Sequence, residues 1–238
     1  MKAMILAAGR GERMRPLTDC LPKPLLEVGG KALIAWHIER LRAAGIRDIV
    51  INHAWQGEMI ERALGNGAAL DVRIAYSAET EALETAGGIA RALPMLGQAP
   101  FLVVNGDVYC AWDFQRAHSA AACLAQSALA AWLVMVPNPE HHAGGDFRIT
   151  NGFITDKSVA GAGGAFTFSG IGIYRPVLFA DIRQDEKAPL APLLLRAMAE
   201  TRVAGELFDG AWTDVGTPSR LQQLDATLRV ARMAREQA

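Results

Sequence analysis

An α/β fold, a mostly parallel sheet with helices on both faces, is what this sequence predicts, and three observations predict it. Short apolar runs of strand length alternate with stretches of helical period from the N-terminus to about residue 136. Runs such as FLVV are apolar throughout, as expected of strands covered on both sides. The 238 residues are 51% hydrophobic, 21% charged and 7% aromatic, which builds one large core and excludes a disordered chain.

Lys2–Leu6 reads as the first buried strand. Leu33–Ala44 follows as a helix with Leu33, Ile34, His37, Ile38 and Leu41 on one face, and Gly45 is placed to end it in the left-handed conformation. Ile49–Asn52 is a second strand and Gly57–Leu64 a short helix. Val72–Tyr76 and Phe101–Val104 are the next strands, the latter bounded by Pro100 and Asn105-Gly106. Ser119–Val136 carries no charge over eighteen residues, just the length of a membrane span. It is Ala-rich and broken by Gln126 and Ser127, so it reads as a helix, a turn and the strand Ala131–Val136, with no membrane partner expected. PNPEHHAGGD, FRIT-N-GFIT and AGAGGAF then predict a β-rich insertion over about 137–170. Phe166–Tyr174 resumes as strand, Leu190–Glu200 as helix, and a strand lies about Trp212. Thr217 is placed as the N-cap of a last helix with Pro218 in its first turn. A single Rossmann-like domain spanning 1–238 is therefore expected.

Charge narrows the function classes. Lys and Arg total 24 against 25 Asp and Glu, so no basic field exists to hold nucleic acid, and anions must be met by local geometry. Cys20, Cys110 and Cys123 are scattered and form no CxxC, which fits a reduced, cytoplasmic compartment. The first apolar run is cut short by Arg10, Glu12 and Arg13, unlike a secretory leader. No apolar stripe marks a subunit interface, although a homo-oligomer stays open.

The strongest signal is LAAGRGERMRPLTDCLPKPLL, Leu6 to Leu26. Gly9 and Gly11 lack Cβ atoms and let backbone N–H groups approach a phosphate closely. Arg13 adds a planar fork and Lys23 a mobile point charge, and Pro16, Pro22 and Pro24 stiffen the loop that carries them. No GxxxxGK[ST] is present, and the GxG lacks the third glycine of a dinucleotide fingerprint.

Gly9 through Pro24 resembles the signature G-x-G-x-R-x-x-P-x-T … P-K-P of the sugar-1-phosphate nucleotidyltransferases. FLVVNGD at Phe101–Asp107 and AWTDVGTP at Ala211–Pro218 are similar to that family's two metal-aspartate segments. The resemblance implies transfer of a nucleotidyl group from a nucleoside triphosphate to a sugar 1-phosphate, with release of pyrophosphate. It implies Arg13 at the departing pyrophosphate, Lys23 between the α-phosphate and the sugar phosphate, and Mg²⁺ on Asp107 and Asp214. An all-oxygen set of two carboxylates and phosphates suits that ion. Ala7, Ala8, Gly9, Gly11, Glu12 and Asn105, with Gly87-Gly88 opposite, are expected around the nucleotide, and Glu79 or Glu81 near the base. Gly145, Asp146, Asn151, Lys157 and Ser169 are expected at the sugar, within the insertion and the loop from Lys157 to Gly170. Arg148, His141 and Lys157 are the cations available to an acidic sugar. LETAGGI at Leu83–Ile89 and FTFSGIGIYRP at Phe166–Pro176 are most similar to the branch that joins UTP to N-acetylmuramate 1-phosphate, a step of cell-wall recycling. Branches that guanylylate mannose 1-phosphate, or thymidylylate or uridylylate glucose 1-phosphate, remain open. Cytidylyltransferases and molybdopterin guanylyltransferases share the opening loop, but Arg15–Thr18 and WTDVGTP favour the sugar-phosphate branch. A glycosyltransferase is disfavoured because Asp107-Val108-Tyr109 is not DxD. A nucleotide-sugar sensor that keeps the fold without turnover is the rival of a different class.

Overall fold

The computed structural model describes residues 1–159 and 164–236. The first half alternates strand and helix. β1 is Lys2–Leu6 and α1 Leu17–Cys20, followed by the small pair β2 Glu27–Val28 and β3 Lys31–Ala32. Then come α2 Leu33–Ala43, β4 Asp48–His53, α3 Gly57–Leu64, β5 Arg73–Ala78, α4 Glu84–Leu96, β6 Phe101–Asn105 and β7 Val108–Cys110. The second half holds α5 Arg116–Ala125, β8 Ala131–Val136, β9 Phe147–Thr150, β10 Phe153–Asp156 and β11 Thr167–Tyr174. It ends with α6 Leu190–Ala199, β12 Val203–Leu207, β13 Trp212–Asp214 and α7 Pro218–Glu236.

Nine strands form one sheet in the order β5-β4-β1-β6-β11-β8-β12-β10-β9. β11 and β10 run against the rest, so the sheet is mostly parallel. Its two faces carry separate cores, and β1 shows why: Ala3 and Ile5 point to the α2 and α5 side, Met4 to the α4 and α6 side. A third cluster (Met14, Leu26, Val28, Leu33, Tyr109, Val215, Leu221, Leu224) ties the loop after β1 to α7. That anchor fixes one wall of the site.

Most expected elements stand within a residue or two. Gly45 has φ 77, and the Thr217 hydroxyl accepts the Arg220 N–H at 3.4 Å, as an N-cap should. Ser119–Val136 divides into α5, a turn and β8, and no helix among the described residues is long and apolar enough to cross a membrane. α4, β7 and β12 were not expected. α4 contains Gly87, Gly88 and Pro94, which by propensity argue against a helix. Packing overrides them: the N–H groups of Ala86 and Gly87 both reach Ala188 O (2.9 and 3.1 Å), and a Cβ on Gly87 would lie 2.3 Å from Glu186 O. The β9–β10 hairpin of the insertion continues the main sheet beyond β12. Residues 160–163 of the AGAGGAF stretch lie outside the described residues.

Candidate active site

β1 delivers the chain to the carboxyl edge of the sheet, beside the end of β6, where Leu6 pairs with Asn105. This is the edge at which open α/β sheets bind ligands. The loop that follows is folded onto itself. Thr18 donates its hydroxyl proton to Gly11 O at 2.8 Å, and Arg10 donates to Thr18 O at 2.8 Å while stacking 3.7 Å over Trp55. Gly11 has φ 68, and an added Cβ would come within 3.0 Å of Thr18. Gly9 is different: a Cβ there would meet nothing within 4 Å. One glycine is required by the loop's conformation, and the other leaves space.

That space is a cavity of about 570 Å³ lined by Ala7, Ala8, Gly9, Gly11, Glu12, Arg13, Lys23, Asn105 and Asp107. Asn52, Ala82, Glu84 and Thr85 line it as well. A second cavity of about 390 Å³ is lined by His141, His142, Ser169, Trp212 and Asp214 among others. Arg13, Asn105 and Asp107 line both, so the two cavities meet at these three residues.

The junction concentrates charge. Lys23 is buried, and its Nζ lies 2.8 Å from Asp107 Oδ2. Asp214 sits opposite Val108 in the β13–β7 pair, and Val215 N–H donates to Asp107 O at 2.9 Å, so both aspartates are held by one short ribbon. Arg220 donates to Asp214 Oδ2 at 2.7 Å and to His141 Nε2 at 2.6 Å. Each carboxylate is thus already covered by a cation of the chain. Two hard carboxylates on one cavity wall are donors of the type Mg²⁺ takes, one or two from protein with phosphates and water completing the shell, and an ion there would replace the Lys23 and Arg220 contacts. No cluster of three or more His, Cys, Asp or Glu capable of holding a metal exists among the described residues. Beneath the ribbon, His37 is fully buried on α2, and burial lowers its pKa to about 4, so it stays neutral.

Several expected contacts are redirected. Gly88 is buried in α4 and packs behind the cavity wall, where a Cβ would lie 2.8 Å from both Asn52 Nδ2 and Glu79 Oε1. Glu79, expected near the base, is buried and already accepts Asn52 Nδ2–H at 2.6 Å and Leu83 N–H at 2.9 Å. Glu81 pairs with Lys187 at 2.8 Å. Asn151 and Gly152, at φ 52 and 79, make the β9–β10 turn. Because β10 is antiparallel to β12, that turn lies beside the start of β12, at the opposite end of the sheet from the junction. Asn151 is therefore removed from the sugar set. Asp146 accepts Phe168 N–H at 2.8 Å and His142 Nε2 at 2.9 Å, and Lys157 donates to Gly145 O at 2.7 Å, so these groups brace the loop. Ser169 lines the second cavity, and its carbonyl accepts the Trp212 indole N–H at 2.9 Å.

Asn52 and Arg220 are among the site residues that sequence reasoning missed, with Ala82, Glu84 and Thr85 of the cavity lining. Asn52 stood only as the end of a strand. Arg220 had a usable signal, since an N-cap at Thr217 turns the third helical residue back toward Asp214.

The chain is 54% identical over 230 residues to N-acetylmuramate alpha-1-phosphate uridylyltransferase of Neisseria meningitidis, covering 95% of this chain and 97% of that one. It is 36% identical to the Caulobacter vibrioides protein of the same name, covering 96% and 97%. A Bacillus anthracis crystal structure in complex with a sucrose, assigned as a glucose-1-phosphate thymidylyltransferase, superposes with a TM-score of 0.84 at 22% identity over 96% of this chain and 95% of that one, a likeness of fold. The model of the nucleotidyl transferase family matches residues 2–230, and the chain belongs to that family.

Proposed function

We propose that the chain joins UTP to N-acetylmuramate α-1-phosphate, giving the UDP-sugar and pyrophosphate. The observation that carries this reading is the 54% identity, over nearly the whole of both chains, to a protein named for that reaction. The meeting of two cavities at Arg13, Asn105 and Asp107 supports it, because a transfer between two phosphate-bearing substrates needs such a junction.

In this reading the nucleotide takes the larger cavity, with its phosphates toward Arg13 and Lys23, and the sugar takes the smaller. The sugar phosphate carries about −1.5 to −2 charges at neutral pH, so its oxygen needs no general base. It attacks the α-phosphorus, a new P–O bond forms, and the bond to the β-phosphate oxygen breaks in line. Lys23 draws the attacking and α-phosphate oxygens together, and Arg13 takes up the charge of the departing pyrophosphate. Asp107 and Asp214 would hold Mg²⁺, which supplies charge neutralisation at the phosphates when bound. The acceptor's lactyl carboxylate needs a cation; His141 lines the smaller cavity, and Arg220, bonded to His141 and to Asp214, is the guanidinium behind it.

Pyrophosphate release, measured with UTP, CTP, dTTP and GTP against N-acetylmuramate, N-acetylglucosamine, glucose and mannose 1-phosphates, tests the reading. Release confined to UTP with N-acetylmuramate 1-phosphate is expected. Release with another pair would discard the substrates and keep the chemistry, and silence from folded protein would point to a nucleotide-sugar sensor.

A further inference from the structure

We infer that Glu79, buried and outside the cavity lining, sets the width of the base end of the nucleotide cavity and so its preference for a one-ring base. The inference rests on the reading that the larger cavity holds a nucleotide. Its charged end, at Arg13 and Lys23, suits the phosphates. The lining also includes Ala7, Ala8, Asn52, Ala82, Glu84 and Thr85, and this stretch without cations is where a base belongs.

Two parts of this stretch hang from one carboxylate. Glu79 Oε1 accepts from Asn52 Nδ2 at 2.6 Å, which fixes the Asn52 amide so that its Oδ1 accepts Ala7 N–H at 2.9 Å. Glu79 Oε2 accepts Leu83 N–H at 2.9 Å and so holds the segment Ala82–Thr85 at its root. Glu84, the next residue, is kept at φ 61, a conformation an L residue holds only where its surroundings impose it. Glu79 and Asn52 are 6% and 2% exposed, so water cannot replace a lost partner at low cost. The two donors are met by different oxygens of one carboxylate. Glutamine in that place would turn an NH2 donor toward either Asn52 Nδ2–H or Leu83 N–H and lose that bond. Gly88 completes the device, because a side chain there would enter the Asn52–Glu79 pair from behind.

The test is the affinity of the full chain for UTP and for GTP, by titration calorimetry with Mg²⁺ and no acceptor, in wild type, Glu79→Gln and Gly88→Ala. Gly88→Ala removes no hydrogen-bonding group and suits a helix, so it stays informative if Glu79→Gln folds poorly. In both variants UTP binding should weaken about tenfold while GTP binding changes less than about threefold, collapsing the preference. The KM for the sugar phosphate should stay within about twofold, since that site shares no partner with Glu79. Folded variants that keep the wild-type preference, or lose both nucleotides equally, would reduce Glu79 to a structural brace and overturn the inference. Wild type that binds neither nucleotide would instead take down the reading of the cavity itself.

Discussion

The two cavities that meet at Arg13, Asn105 and Asp107 are built in opposite ways. Around the larger one, residues of the phosphate loop point into open space or meet across it: Gly9 faces nothing, and Lys23 reaches Asp107. Around the smaller one, the polar residues of the loop at 142–157 are spent on each other, Asp146 on His142 and Phe168, Lys157 on Gly145. The first region gathers its charged groups at the carboxyl edge of the sheet beside open space, whereas the second spends its polar groups on holding a loop in shape. Substitutions should therefore cost turnover on one side and loop stability on the other.

The largest effect should come from Lys23→Ala. It removes a buried cation from the junction while leaving the sheet intact, and kcat should fall by about 10²–10³-fold. Steady-state pyrophosphate release checks this, with circular dichroism to confirm the fold. A rate near wild type would mean that the Lys23–Asp107 pair is only a structural contact, and the contrast between the cavities would lose its main support.

Next comes the ground beneath the junction. His37 has a pKa lowered to about 4 by burial, against about 6.5 in an unfolded chain. The unfolded state therefore binds a proton that the folded state refuses as pH falls from about 6.5 to 4, and stability should drop by about 3 kcal/mol over that span. Above about pH 6.5 both states are neutral and the group contributes no slope. Thermal melts of wild type and His37→Leu across this range give the check: the variant should have the flatter profile. Equal slopes would show that other groups dominate the acid response.

What could be read in advance follows the same division. The order and ends of β1, α2, α3 and β8 follow from apolar period and turn residues, which are local properties. The loop after β1 was legible as a lining of the larger cavity because its glycines, prolines and cations are clustered in sequence. α4 was not, because Gly87 and Gly88 are there to let residues 186–188 and the Asn52–Glu79 pair approach, partners distant in the chain. Glu79 looked like a loop glutamate for the same reason. Asn151 was placed at the sugar by its position within the insertion, and only the pairing of β10 with β12 reveals that the turn lies at the far end of the sheet. Location in sequence does not say which end of a strand a turn occupies.

The paired glycines sharpen the comparison within one loop. Gly11→Ala forces an alanine to φ 68 against Thr18 and should cost about 1–2 kcal/mol of stability. For a chain this size that is a Tm lower by roughly 2–8 °C. Gly9→Ala has room and an ordinary φ, so Tm should hold or rise slightly, by about 0.4–1 kcal/mol in stability. Its methyl group would stand in the space assigned to the nucleotide, and the KM for UTP should rise by about tenfold. A Gly9→Ala enzyme with an unchanged KM would place the nucleotide elsewhere.

Asp146→Asn is the smallest change and the one that separates bracing from contact on the acceptor side. The amide can keep Phe168 N–H on its oxygen, but its NH2 meets His142 only if that ring turns an accepting Nε2 toward it, and the charged acceptor is gone, at a cost of about 1 kcal/mol. Asp146 acting as a brace predicts a Tm lower by about 2–4 °C, a KM for the sugar phosphate raised a few-fold and a KM for UTP unchanged. Direct contact with the sugar predicts the reverse weighting: a larger loss in acceptor KM with the melting temperature kept. Differential scanning calorimetry beside the two KM values distinguishes them. The bracing outcome is expected because both carboxylate oxygens are already engaged by the protein, and a group so engaged can reach a ligand only by giving up the loop it holds.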